Sequence, residues 1–215
     1  MKLTGAIFDL DGTLLDSMSI WDTVGEAYLL AQGRQPEEGI NLKFRSMSLQ
    51  QAAVYYQTAY GVTDSVEEIM AGVNRMVEHF YRTEVRPKPG VPSFLESLRR
   101  RGVPMCVATA TDRYLVEDAL THAGIRDYFS AVFTCTEVGH GKDEPHIYEA
   151  ALAYLGTPKA ETPVFEDVLH AVRTAKGAGF PVVAVREETE QRREAVRALA
   201  DVFLEDFERA EELLL

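Results

Sequence analysis

AIFDLDGTLLDS, residues 6–17, ends an apolar run in two carboxylates, Asp9 and Asp11, followed at once by Gly12 and Thr13. The apolar start reads as a buried strand. Side chains along a strand repeat with a period of two, so Asp9 and Asp11 leave the strand end on the same side. Two carboxylates held that close repel each other and are costly to desolvate, which makes sense where a cation sits between them or one keeps its proton. A nucleophile beside an acid/base is one use of such a pair, and Gly12 lets the backbone turn sharply and approach a ligand. The competing reading is an ordinary strand-end turn with solvated acids. A calcium loop of the EF-hand kind fails, because its sixth position must be glycine and a helix must precede it, whereas here that position is Leu14 and the preceding run is β-like.

Beyond this stretch, residues 15–85 contain no convincing strand. Helical runs are predicted over 19–32, 48–60 and 65–82, the last opening with Ser65 three residues before Glu68, the spacing of a capping box. Arg86-Pro87-Lys88-Pro89-Gly90 then interrupts the pattern and is the strongest boundary signal in the chain. From Val91 onward helices and strands alternate. Strands are predicted at 104–109, 131–134, 163–166 and 181–185, with helices over 91–101, 113–123, 146–155 and 168–176 between or beside them, and an acidic helical tail at 206–215. Short β-rich runs separated by helices mean βα units and an open parallel sheet, a Rossmann-like α/β core with helices on both faces. The first strand belongs to that sheet although its neighbours lie far along the chain, so the helical block is an inserted all-helical cap. The expected division is 1–14 with 86–215 as core and 15–85 as cap.

The formal net charge of −12 argues against nucleic acid or an anionic membrane as partner, since both need clustered Lys and Arg. No apolar run approaches the ~20 residues of a membrane span, and Met1 and Lys2 lead directly into the first strand without a signal-like apolar stretch. A cytoplasmic monomer is expected. Cys106 and Cys135 are read as core residues inside buried strands, without the CxxC spacing of a metal site.

In an open parallel sheet ligands bind beyond the carboxyl ends of the strands. This chain places there Asp9 and Asp11, then Thr109, Ala110 and Thr111, then Lys142, then Glu166 and Asp167. Each has a bland alternative: Thr109 as a strand-end turn residue, Lys142 as a solvated loop lysine, Glu166 and Asp167 as acids before a helix N-terminus. GHGK (139–142) is no P-loop, because the glycine spacing is wrong and Asp143 stands where Ser or Thr is required. His140, His146 and His170 read as surface or capping residues rather than a zinc set, as no ligand spacing recurs.

The four strings together resemble the haloacid dehalogenase-like hydrolase superfamily, in its phosphatase and β-phosphoglucomutase-like branch with a helical cap after the first strand. DLDGT (9–13) looks like the first motif, VATAT (107–111) the second, Lys142 the third, and FEDVLHAVRTAKGAG (165–179) the fourth. The resemblance implies that Asp9 is the nucleophile and a Mg²⁺ ligand. It makes Asp11 the general acid/base, lending its backbone carbonyl to the metal, and has Asp167 complete the metal site with Glu166 in support. Gly12, Thr109, Ala110 and Lys142 are implied to hold the phosphate, and Thr109 and Lys142 to take part in catalysis. An acid at position 11 points to phosphate monoesters, whose alkoxide leaving group needs a proton. Substrate choice is expected in the cap, with Ser17, Trp21, Arg45 and Ser46 as candidates and Arg45 and Trp21 as the substrate contacts.

Two departures from the family pattern stand out. Asp143-Glu144-Pro145-His146 replaces the usual Pro-x-Pro-Asp after the lysine, and Ala171 replaces a glycine. The expected activity is Mg²⁺-dependent hydrolysis of a small phosphorylated metabolite through an aspartyl phosphate. A sugar phosphomutase and a non-catalytic binding protein on the same fold are the alternatives.

Overall fold

A computed structural model of the chain describes residues 2–40 and 49–214. In chain order the elements are β1 (Ala6–Phe8), α1 (Met18–Ala31), α2 (Leu49–Tyr60), α3 (Val66–Thr83), α4 (Val91–Arg100), β2 (Met105–Thr109), α5 (Arg113–His122), β3 (Ala131–Thr134), α6 (Cys135–Val138) and α7 (His146–Leu155). There follow β4 (Val164–Glu166), α8 (Leu169–Gly177), β5 (Val182–Val185), α9 (Arg193–Leu199), β6 (Val202–Leu204) and α10 (Ala210–Leu214). The residues separate into two compact units, 1–16 with 85–215, and 17–84.

The first unit is built on a six-stranded parallel sheet of order β3-β2-β1-β4-β5-β6. The chain winds outward from β1 on one side and, from β4, outward on the other, so the order reverses between β1 and β4. That switch point is where doubly wound sheets open a crevice at their carboxyl ends. Period-two alternation sorts the two faces. Phe8 of β1 stacks on Phe165 of β4 with centroids 4.2 Å apart, and Phe94 and Phe207 pack on the same side. Ile7 and Val164 face the opposite way, into a cluster with Ile147, Tyr148 and Ala151 of α7 and Leu169 and Val172 of α8. By the same alternation Asp9 follows Ile7, and Glu166 follows Val164, toward the α7 side.

The second unit contains α1, α2 and α3. Their buried stripes, Val24, Tyr28 and Leu29 on α1, Ala52, Ala53 and Tyr56 on α2, and Ile69, Val73, Val77 and Tyr81 on α3, recur at helical spacing. A side chain at Gly72 would collide with the Tyr28 ring, its Cβ falling 2.6 Å from Cε2, so the close approach of α1 and α3 there requires glycine. Ser65 and Glu68 form the capping box anticipated from their spacing: the Glu68 N–H donates to Ser65 Oγ at 3.2 Å and the Ser65 N–H to Glu68 Oε2 at 2.8 Å.

Two readings of the sequence need correction. Cys135 is not inside a strand: β3 stops at Thr134, whose hydroxyl accepts from the Glu137 N–H and caps α6, leaving Cys135 partly exposed at the helix start. The segment after β5 also holds an unanticipated edge strand, β6, and the helical tail begins only at Ala210.

Candidate active site

The sharp turn after β1 delivers the first site residues. The Asp9 N–H donates to the Phe165 carbonyl at 3.0 Å, so Asp9 still pairs with the β4 side. Leu14 and Leu15 N–H groups then both donate to Leu10 O, closing a tight loop in which Gly12 takes φ 84°, a left-handed conformation costly for any residue with a Cβ. Thr13, fully buried, donates its hydroxyl to Asp167 Oδ1 at 3.2 Å and ties this loop to the residue after β4.

Lys142 arrives from the loop between α6 and α7. Its ammonium is buried against Asp9 Oδ1 and Glu166 Oε1, the latter at 2.6 Å. Burial opposes the charge of Lys142, but the Asp9 and Glu166 carboxylates outweigh it and push its pKa above the ordinary lysine value. Glu166 has no solvent exposure. Its Oε1 also accepts from the Tyr148 hydroxyl of α7 at 2.8 Å, and its Oε2 from the Asp167 N–H at 3.3 Å. Burial, then the charge of Asp9, push Glu166 up to about 7 against the opposing pull of Lys142. Burial, Asp9 and Glu166 likewise hold Asp167 well above the usual carboxylate range.

Asp9, Glu166 and Asp167 each offer a carboxylate oxygen within 4.8 Å of the others. Fully ionised, three carboxylates around one ammonium would leave two negative charges uncompensated in a buried site, which is why Glu166 and Asp167 hold their protons more tightly than usual. Asp167 Oδ2 is also buried without a hydrogen-bond partner, a costly state for a carboxylate oxygen. All-oxygen donors, crowded acids and a buried, unpartnered carboxylate oxygen fit a hard divalent cation. Glu166, with donors on both oxygens, organises the cluster, while Asp167 has the oxygen to spare.

Asp11 is half-buried and accepts from Thr111 Oγ1 at 2.7 Å. Thr109, buried at the end of β2, accepts the Thr111 N–H on its hydroxyl at 3.1 Å, a local turn that fixes Thr111 for that bond. Ala110 between them is exposed. The structure thus brings together Asp9, Lys142, Glu166 and Asp167 in one cluster, and Asp11, Thr109 and Thr111 in a chain of hydrogen bonds beside the same turn. Ser17 and Trp21 belong to the second unit, Ser17 buried and Trp21 on α1 with 36% of its surface exposed. Arg45 and Ser46 lie outside the described residues. Tyr148 was not anticipated as a site residue; the only hint is that a tyrosine on the buried stripe of α7 needs a partner for its hydroxyl.

The model of the haloacid dehalogenase-like hydrolases matches residues 6–185, which include all four motif strings. The chain belongs to this family. It is 27% identical over 212 residues to the bifunctional riboflavin kinase/FMN phosphatase of Arabidopsis thaliana, covering 95% of this chain but 56% of that protein, so it spans little more than half of that relative. Over 83% of its length it is 24% identical to the phosphorylated carbohydrates phosphatase of Thermotoga maritima, covering 82% of that protein. The structure of CbbY from Rhodobacter sphaeroides in complex with phosphate superposes with a TM-score of 0.79 at 22% identity, over 96% of this chain and 95% of that one, a likeness of fold. The parallel sheet with an inserted helical unit is the family architecture expected from the motif order. Among the described residues no helix is long and apolar enough to cross a membrane.

Proposed function

We propose that this chain is a Mg²⁺-dependent phosphatase of small phosphorylated metabolites that works through an aspartyl phosphate on Asp9. The observation that carries the reading is the buried cluster of Asp9, Glu166 and Asp167 around Lys142, with its crowded acids and the unpartnered Asp167 Oδ2. The phosphatase relatives among haloacid dehalogenase-like hydrolases support the same class of reaction.

Asp9, Asp167 and the Asp11 backbone carbonyl would hold the Mg²⁺, with Glu166 behind them, and the ion supplies charge neutralisation so that an anionic carboxylate can approach an anionic phosphate. The residues of the chain do the rest. Lys142 engages Asp9 Oδ1, which leaves the second oxygen to attack phosphorus, and its ammonium stabilises the charge on the transferring group. Thr13 and Tyr148 fix the Asp167 and Glu166 carboxyls, so the cluster needs little reorganisation during the reaction. Asp11, oriented by Thr111, gives its proton to the leaving alkoxide and then takes one from the water that hydrolyses the phosphoenzyme.

The cap carries substrate selection in this reading, with Trp21 and Arg45 as contacts. Water is the normal acceptor, because residues 17–21, Ser-Met-Ser-Ile-Trp, lack the histidine that resembled mutases carry just after the first motif. Hydrolysis of a generic aryl phosphate, followed by a panel of phosphorylated metabolites with and without Mg²⁺, tests the proposal. Activity that requires the added ion and stops with chelator is expected. Undiminished hydrolysis in excess chelator removes the metal from the account, and failure to turn over any compound or bind Mg²⁺ favours a binding protein.

A further inference from the structure

The loop that carries Lys142 has a second cluster on its outer side. Spacing alone gives His140 and His146 no partner, yet the fold closes the segment between them. α6 ends at Val138 and is capped by Gly139, with φ 81°, and α7 begins at His146, with the Glu144 N–H donating back to Gly141 O at 3.2 Å. This turn aims both imidazoles at one oxygen. His140 Nδ1 lies 2.6 Å and His146 Nδ1 3.2 Å from Glu144 Oε2, and the two rings stack with centroids 3.9 Å apart and 14° between their planes. One donor atom from each of the three residues lies within 4.8 Å of the other two.

We propose that His140, Glu144 and His146 form a site for a transition-metal ion of the Zn²⁺ type, separate from the buried carboxylate cluster. Two imidazole nitrogens and one carboxylate are a borderline donor set that suits Zn²⁺, Co²⁺ or Ni²⁺, whereas Mg²⁺ prefers oxygens. Metal–ligand distances near 2.1 Å in a tetrahedral site place donor atoms about 3.4 Å apart. The His146–Glu144 separation is already close to that, the His140–Glu144 separation must open by less than ~1 Å, and the stacked rings must turn out of parallel so that both in-plane lone pairs meet one ion. These side chains can make that change, because roughly half of each is exposed: 44% for His140, 50% for Glu144 and 51% for His146. The same exposure leaves a coordination position open to water, unlike a closed structural site. Since the ligands flank Lys142 at both ends of one short loop, an ion here would fix the loop that delivers the lysine to Asp9 and Glu166.

The test is calorimetric titration of the untagged full chain with Zn²⁺ in excess Mg²⁺, together with the visible absorption of added Co²⁺. One equivalent of Zn²⁺ should bind, and Co²⁺ should give the intense absorption of a low-coordinate site. Loss of a supporting outer partner alone costs metal sites roughly 10- to 100-fold in affinity, so removing a ligand in His140→Ala, His146→Ala or Glu144→Gln should cost no less. Asp167→Asn, which alters only the buried cluster, should leave Zn²⁺ binding here unchanged. Circular dichroism and a melting temperature equal to wild type show that lost affinity is a lost ligand and not a lost fold. Equal Zn²⁺ affinity in wild type and the His140→Ala/His146→Ala double variant, or no one-equivalent binding in wild type, overturns the proposal.

Discussion

Replacing Asp167 with Asn should make the metal-free protein more stable while abolishing its response to Mg²⁺. Asp167 is 2% exposed, with Thr13 donating to Oδ1 and nothing paired with Oδ2. Asn keeps an acceptor for Thr13 and puts an N–H₂ donor where the orphaned oxygen stood, beside the Asp9 and Glu166 carboxylates. A buried unsatisfied polar group costs about 1–3 kcal/mol, so satisfying it, with an amide that needs no proton beside Asp9 and Glu166, should contribute about 2 kcal/mol. For a chain of 215 residues, at about 2–4 °C per kcal/mol, the melting temperature in chelator should rise by roughly 4–8 °C. Wild type at 100 times its Kd in Mg²⁺ gains about 2.7 kcal/mol by mass action, and the variant should show little of that shift. Differential scanning fluorimetry of both proteins, in chelator and across a Mg²⁺ titration, reads both effects. A variant that melts below wild type in chelator and keeps the full Mg²⁺ shift would refute the view that Asp167 is a metal ligand held under strain.

Tyr148→Phe removes the hydroxyl that donates to fully buried Glu166, and by the worth of a hydrogen bond to a charged group should cost about 2 kcal/mol; urea unfolding that shows no loss would sink its structural role. The raised pKa values of Glu166, pushed up to about 7, and of Asp167 make the folded metal-free protein bind more protons than the unfolded chain. The contribution of these groups therefore falls as pH rises from ordinary carboxylate values through about 7, while Mg²⁺, which needs the ionised forms, binds more tightly. Melting curves between mildly acidic and mildly alkaline pH should show a Mg²⁺-induced shift that grows with pH, and a pH-independent shift would contradict the assignment. With a hexose 1-phosphate and a trace of its bisphosphate, inorganic phosphate should outpace the 6-phosphate isomer; the reverse would make the protein a mutase.

The strand ends were the legible part of the chain. Asp9 and Glu166 leave their strands on one side because period-two alternation is visible in the short apolar runs that precede them, whereas the strand order that sets β1 beside β4 and the loop path that brings Lys142 to them come only from the fold. The inserted helices were legible for the same reason, from apolar stripes and the Ser65–Glu68 cap. What escaped was set by contacts that no apolar pattern shows, most of them with neighbours distant in sequence. β6 has three residues, two of them only partly buried, and becomes a strand by pairing with β5. Cys135 looks like a strand residue until the Thr134 hydroxyl turns the chain into α6. Tyr148 is one apolar-face aromatic among several until α7 docks beside β4 and its hydroxyl meets Glu166. The departure at Asp143-Glu144-Pro145-His146 reads only as irregularity, whereas the fold turns it outward as the His140–Glu144–His146 cluster.

The proposed mechanism rests on Asp9 as nucleophile, and trapping the phosphoenzyme shows whether it is. Enzyme mixed with Mg²⁺ and a substrate found in the metabolite panel is quenched in acid within a single turnover, digested and mapped by mass spectrometry. The account predicts one phosphoryl group on the peptide containing Asp9, formed before free phosphate appears and absent from Asp9→Asn. Phosphorylation at another residue, or an Asp9→Asn variant that turns over at the wild-type rate, would contradict it.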